Sequence, residues 1–275
     1  MKKTLLIGII SLISVLALQA QSRLAVWCHG VPTYYNISDV DSIVFENSVV
    51  PQNGQPCPGT PTLTDIDGNV YNTVQIGQQC WMKENLRTTR YADNTPIPSE
   101  DTYSVTDPYR YAPNNDEVNV PTYGYLYNWP AVMRNSSSSS SNPSGVQGVC
   151  PTGWHVPSDA EWKQMEMAVG MSQSDADNIQ YRGNIAAKLS GNTGWTSSTN
   201  ANAAGNLSAP GRNSSGFSAL PASGYYSFGD YAGFWSATEF DSSIAWLRHL
   251  LYNNAGVYRD GNPKGDGYSV RCLRD

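Results

Sequence analysis

Charge is scarce in this chain. Asp, Glu, Lys and Arg make up 15% of its 275 residues, against about 25% in an ordinary soluble domain. The balance is acidic, with 17 basic and 23 acidic residues and a net charge of −6. No basic stripe gathers on any segment, which excludes the phosphate-tracking footprint of a nucleic-acid binder. Histidine is rarer still, at three residues. With no C-x-x-C pair and no H-E-x-x-H, neither a zinc site nor any other metal or cofactor is expected. G-x-S-x-G and phosphate-loop patterns are missing as well, and His29 and His249 have no triad context, so an enzyme is not expected. Beyond the first twenty residues no stretch is apolar enough to span a bilayer, and no long-period repeat is seen.

The first twenty residues are a different matter. Lys2 and Lys3 precede "LLIGIISLISVLAL", and Ala20 places a small residue before Gln21. That order matches a secretory signal peptide over residues 1–20, and the apolar run is short of the ~20 residues that cross a membrane. The expected mature chain starts near Gln21, carries a charge of −8 once the two lysines are lost, and has no transmembrane segment. Secretion, to the extracellular space or the cell envelope, sets the redox state of the cysteines. All five, Cys28, Cys57, Cys80, Cys150 and Cys272, lie past the cleavage point. In an oxidising compartment they pair, and an odd count leaves one over.

Composition divides the rest. Residues 21–47 read as a small β segment, with "RLAVW" and "SIVF" as strands and "HGVP" as turn residues. Residues 48–61, "SVVPQNGQPCPGTP", are proline- and glycine-rich and read as a linker. Residues 62–275 are long enough for one large domain. Their first feature is a hairpin, with Asp67-Gly68 as the turn and Val70, Asn72, Val74 and Ile76 alternating behind it. The D-x-D-G spelling lacks the further acids of a helix-loop-helix calcium site. Residues 90–122 show no periodicity, "YGYLYNW" at 123–129 reads as a short buried strand, and "RNSSSSSSNPSG" reads as a loop that cannot pack. A short helix is expected over 184–191.

"CPTGWHVPSDAEW", residues 150–162, gathers a cysteine, a histidine and two acids. Ser158 and Glu161 have the spacing of a capping box, and Asp159 and Glu161 suit the positive end of a helix dipole. Trp162, Met165 and Val169 share one face, so a helix with a buried stripe is expected over 158–170. An acid–base set of His155, Asp159 and Glu161 is the weaker reading, because Asp159 and Glu161 point different ways.

Three blocks carry a family resemblance: "DIDGNVYNTVQIGQQCWMKENLRTTRYADNTPIP", "GVCPTGWHVPSDAEW" and "FWSATE" with "YSVRCLRD". In this order they resemble the Fibrobacter succinogenes major paralogous domain family, over about residues 62–275. More distantly, "VPSDAEW" and "YSVRC" resemble sulfatase-modifying-factor-like proteins and the C-type-lectin-like fold. The resemblance implies an α+β, C-type-lectin-like domain with short helices, an irregular antiparallel sheet and long loops, its terminal strands side by side. By the same analogy Cys150 pairs with Cys272, leaving Cys57 for Cys80. Cys28 is then free or available for an intermolecular bond.

Residues 246–268, "WLRHLLYNNAGVYRDGNPKGDGY", combine flat aromatic faces with directional polar groups, a mixture suited to recognising sugars or protein surfaces. The candidate ligand-binding residues are Trp246, Arg248, His249, Tyr252, Asn253, Tyr258, Arg259 and Asp260. Trp246, Arg248, Leu250 and Tyr252 would share one strand face, with Leu247, His249 and Leu251 on the other. The expected function is a secreted or cell-surface, non-enzymatic protein that binds a carbohydrate or a surface protein. The alternatives are a sulfatase-modifying-factor-like enzyme with a reactive cysteine, or a structural or adhesive envelope protein.

Overall fold

The computed structural model describes residues 23–28, 31–36, 53–99, 102–222 and 228–275. The chain divides into two compact units, residues 1–49 and 50–275. The expected signal peptide, the "SIVF" strand and residues 48–52 of the expected linker lie outside the described residues, as does the Cys28 side chain.

In the first unit β1 (Arg23–Cys28) and β2 (Val31–Asn36) form an antiparallel hairpin, with Arg23 opposite Asn36 and Cys28 opposite Val31. Val31 and Pro32, read above as turn residues, belong to the second strand. A two-stranded ribbon has only edge strands, where proline's missing N–H is tolerated.

The second unit contains β3 (Thr62–Thr64), β4 (Val70–Ile76), β5 (Gln79–Met82), β6 (Arg110–Tyr111), α1 (Val120–Tyr123), β7 (Leu126–Tyr127), α2 (Trp129–Met133), β8 (Trp154–His155), α3 (Asp159–Ala168), α4 (Gln173–Asp177), β9 (Gln180–Arg182), α5 (Ala186–Leu189), β10 (Tyr231–Glu239), β11 (Ile244–Leu251), β12 (Val257–Pro263) and β13 (Leu273–Arg274). It is an α+β architecture of short helices and antiparallel sheets. One sheet runs β3-β4-β5-β13-β8, a second β10-β11-β12-β9, and β6 pairs with β7 in a two-stranded ribbon. The last strand, β13, thus sits between β5 and β8, so early and late parts of the unit share one sheet.

Both disulfides stabilise that sheet. Cys57 bonds Cys80, and Cys150 bonds Cys272 across 122 residues of sequence, as the family resemblance implied. Residues 53–60, within the stretch expected as a linker, edge this sheet: Gly54 N–H donates to Gln75 O and Gln75 N–H to Gln55 O. In the hairpin turn, the Asp65 carboxylate accepts from the backbone of Asp67 and Asn69, and Asp67 accepts from Thr89 and Arg90.

Two apolar clusters form the core. One holds Trp81, Trp162, Met165, Phe217, Phe234 and Leu250, between the two sheets and α3. The other holds Tyr71, Tyr127, Trp129, Trp235, Leu247 and Tyr268 with the Cys150–Cys272 bridge. Helix α3 begins with the expected capping box, each of Ser158 and Glu161 accepting from the other's backbone N–H. It stops at Ala168 rather than 170, ahead of Gly170 in the left-handed region at φ +107°.

Two local expectations need correction. "YGYLYNW" gives only the two-residue β7 before α2 starts, because Asn128 caps that helix through Ala131 N–H and Pro130 suits its first turn. The serine-rich loop does pack. Ser139 N–H donates to Ala237 O, Thr238 Oγ1 to Ser139 O, and Ser144 Oγ to Val156 O. Backbone and hydroxyl groups of the loop thus pair with the end of β10, where Ser138 Oγ also accepts from Glu239 N–H.

A tyrosine-lined cleft as the candidate site

The four-stranded sheet has two dissimilar faces. On the face toward α3, charge is buried. Arg248 Nε lies 2.9 Å from Glu166 Oε1 and its Nη2 2.8 Å from Asp159 Oδ1. Arg259 Nη2 lies 2.8 Å from Asp159 Oδ2, and Arg182 Nη2 2.6 Å from Glu166 Oε2. Asp159 and Glu166 are seven residues apart, two helical turns, so both point at the sheet. Burial opposes ionisation of Asp159, yet Arg248 and Arg259 hold its carboxyl well below the usual range. Arg248 and Arg259, read above as ligand contacts, instead fasten α3 to the sheet.

The remaining candidates on this side are less enclosed. Trp246 is half-buried, with Arg259 stacked 3.9 Å above its ring centre and Phe240 at 4.8 Å. Tyr252 packs at the margin of the core, and Asn253 is exposed in the turn after β11, its carbonyl accepting from Asn200.

On the opposite face a row crosses all four strands: Gly233, His249, Tyr258 and Tyr181 are successive register partners. The His249 ring stacks on Tyr258 at 4.1 Å and 11°, and Tyr181 meets Tyr258 edge-on at 5.0 Å. Tyr231 lies 4.4 Å from His249 and 6.1 Å from Tyr268. Gly233 is what makes room. A Cβ there would fall 2.6 Å from Tyr268 Cδ1 and 2.8 Å from Tyr231 Cε1, so only glycine lets both rings lie over the strand.

These rings line a cleft of about 330 Å³ with Asn262, Pro263 and Asp266 at its rim. His249 is held between two phenols, Nδ1 2.8 Å from Tyr231 Oη and Nε2 3.0 Å from Tyr181 Oη. A neutral imidazole fits there, one nitrogen donating and the other accepting. Burial lowers its pKa to about 3. Asp260 borders the site, accepting from Tyr258 Oη at 3.1 Å. Of the eight sequence candidates, His249, Tyr258 and Asp260 therefore meet here.

Tyr181, Tyr231, Tyr268, Asn262 and Asp266 were not among the candidates. Alternation along β11 sets His249 on the face opposite Arg248 but does not tell which face lines a site. Tyr181 comes from β9, 77 residues before Tyr258, and only strand pairing brings it in.

A second, more polar cleft of about 390 Å³ lies by the first disulfide, lined by Gln75, Gln78, Gln79, Asn142, Gln164 and His155. His155 is buried between Glu161 Oε1 at 2.8 Å and Asp275 Oδ1 at 2.7 Å. Glu161 thus serves helix cap and histidine at once. Burial disfavours the imidazolium, but the two carboxylates prevail and raise its pKa. Cys272, the residue an enzyme reading would need, is bonded to Cys150. No group of three or more potential metal ligands occurs among the described residues.

An antiparallel α+β domain with a tyrosine-lined cleft is the class that fold and site define. A family model described as the Fibrobacter succinogenes major domain matches residues 74–274, and the chain belongs to that family. No curated protein and no solved structure matches it.

Proposed function

We propose that this is an exported, non-catalytic binding protein whose tyrosine-lined cleft takes a carbohydrate. The observation that carries the reading is the His249–Tyr258–Tyr181 row with Tyr231 and Tyr268 beside it. Ring faces offer the flat apolar surface on which the C–H face of a sugar stacks. Asn262 and Asp266 at the rim offer directional partners for its hydroxyls. Two disulfides and the N-terminal apolar run support export. A C-type-lectin-like fold is the finer reading of the architecture. It is supported by the early and late strands meeting in one sheet and by the Cys150–Cys272 bridge into the last strand region.

The test is a glycan-array screen of the exported protein, followed by calorimetry on the best ligand. Tyr181→Ala and Tyr258→Ala are expected to weaken binding at least about tenfold, the scale of a lost stacking contact. Their thermal melts report whether the fold persists. Wild-type affinity in both variants would place the ligand elsewhere.

A further inference from the structure

Asp266 adds a feature that hydroxyl recognition alone does not need. It lines the cleft, is half-buried, and its carboxyl is raised by that burial. Among the described residues it forms no ion pair. The cations nearest in sequence are engaged elsewhere, Lys264 with Glu239 and Arg271 with Asn85 and the Phe217 carbonyl, as is Arg259 with Asp159 across the sheet. His249 is neutral. Among the described residues the one polar contact of the carboxylate is the Tyr268 hydroxyl at 3.5 Å, too long to be a strong hydrogen bond. Tyr103 stands beside it as a further, largely exposed ring. A Cβ on Gly265 would fall 2.5 Å from that ring, and burial together with the Asp266 charge raises the Tyr103 phenol.

We propose that the ligand presents a protonated amine to Asp266, so that the saccharides taken by this cleft are amino sugars with a free amine. This rests on the cleft being the saccharide site. Aromatic faces carry the negative lobe of the ring quadrupole and attract an ammonium within about 6 Å of the centroid. A half-buried carboxylate with no counter-charge strengthens that preference, since a bound cation relieves its desolvation. The lining combines phenol rings, a neutral imidazole and a carboxylate, with no cation among them. An N-acetylated sugar presents no charge to it, and a uronic acid meets like charge.

The test is calorimetry at pH 6 and low salt with trisaccharides of glucosamine, N-acetylglucosamine and glucose, and with tetramethylammonium as a charge-only probe. The glucosamine trisaccharide is expected to bind about tenfold more tightly than the other two. Asp266→Asn is expected to erase that difference, while Asp266→Glu keeps part of it. In the wild type, salt should weaken the two cationic ligands, the glucosamine trisaccharide and tetramethylammonium, and leave the neutral trisaccharides unchanged; this holds even if Asp266→Asn fails to fold. Equal affinity for all three trisaccharides, lost in Tyr181→Ala, would overturn the amine assignment and leave the saccharide site standing. Binding of tetramethylammonium with no trisaccharide binding would uphold the cation and overturn the saccharide site. No binding of any of the four would overturn both.

Discussion

The imidazole of His249 lies flat on the phenol ring of Tyr258, 4.1 Å away, and the two residues face each other across β11 and β12. This pair is the floor of the cleft, with Tyr181 closing one side and Tyr231 the other. Because Nδ1 and Nε2 each meet a tyrosine hydroxyl, the ring has one allowed orientation. The stacking surface is therefore held rigid before any ligand arrives, which lowers the entropic cost of binding.

Gly233→Ala tests how that surface is made. The new methyl would overlap the Tyr231 and Tyr268 rings, at an expected cost of about 1–3 kcal/mol of stability for overpacking. Ligand affinity should fall as well, because both rings must shift. Chemical denaturation and calorimetry on one sample separate the two effects. Wild-type affinity in a folded Gly233→Ala would show that the rings do not form the site.

The two described histidines give opposite pH responses. For His249 the folded pKa, about 3, is below the unfolded value near 6.5. Its contribution to stability is complete above about pH 6.5 and declines as pH falls toward 3, by about 2 kcal/mol between pH 6.5 and 5. For His155 the folded value is raised, so its contribution is complete below about pH 6.5 and is lost as pH rises through the folded pKa. Denaturation across pH 5–9 should lose the low-pH slope in His249→Gln and the high-pH slope in His155→Gln. The His249 ring proton shift should stay constant from pH 5 to 8 in NMR.

The Arg-rich face has a stability role. Glu166→Gln leaves Arg182 and Arg248 buried without their shared carboxylate. Removing one partner of such a network costs about 3–5 kcal/mol. Replacing Arg248 with methionine should cost a comparable amount, since Asp159 and Glu166 both lose a partner. Urea midpoints check both, and cleft affinity should hardly change in any variant that stays folded.

Replacing Cys150 and Cys272 together with serine opens a loop of 122 residues. The chain-entropy model gives a loss of about 4–5 kcal/mol. A thermal scan of the double variant beside the wild type measures it.

Much of this structure can be read from short local patterns. Ser158 and Glu161 announce the start of α3, and Trp162, Met165 and Val169 its buried face, because capping and helical spacing act within a few residues. Alternation along residues 246–252 separates the His249 face from the Arg248 face. What local pattern cannot supply is which face meets what. Asp159 has a good local reason to stand in the first turn of a helix, and nothing nearby shows that Arg248 and Arg259 await it across the sheet. Tyr181 lies in a three-residue strand whose partner, Val257–Arg259, is more than seventy residues away. Glu161 conceals its second role for the same reason: the cap is local, whereas the hold on His155 depends on the strand pairing that also brings Asp275 close.

The most direct measurement is an amide NMR titration of the ¹⁵N-labelled protein with its best-binding saccharide. The amides of Gly233, His249, Tyr258, Asn262 and Asp266 are expected to shift in a saturable, concentration-dependent way, with those of Gln75, Gln78 and Gln79 unmoved. Saturable shifts confined to the second cleft, with His249 and Tyr258 unaffected, would contradict the placement of the site.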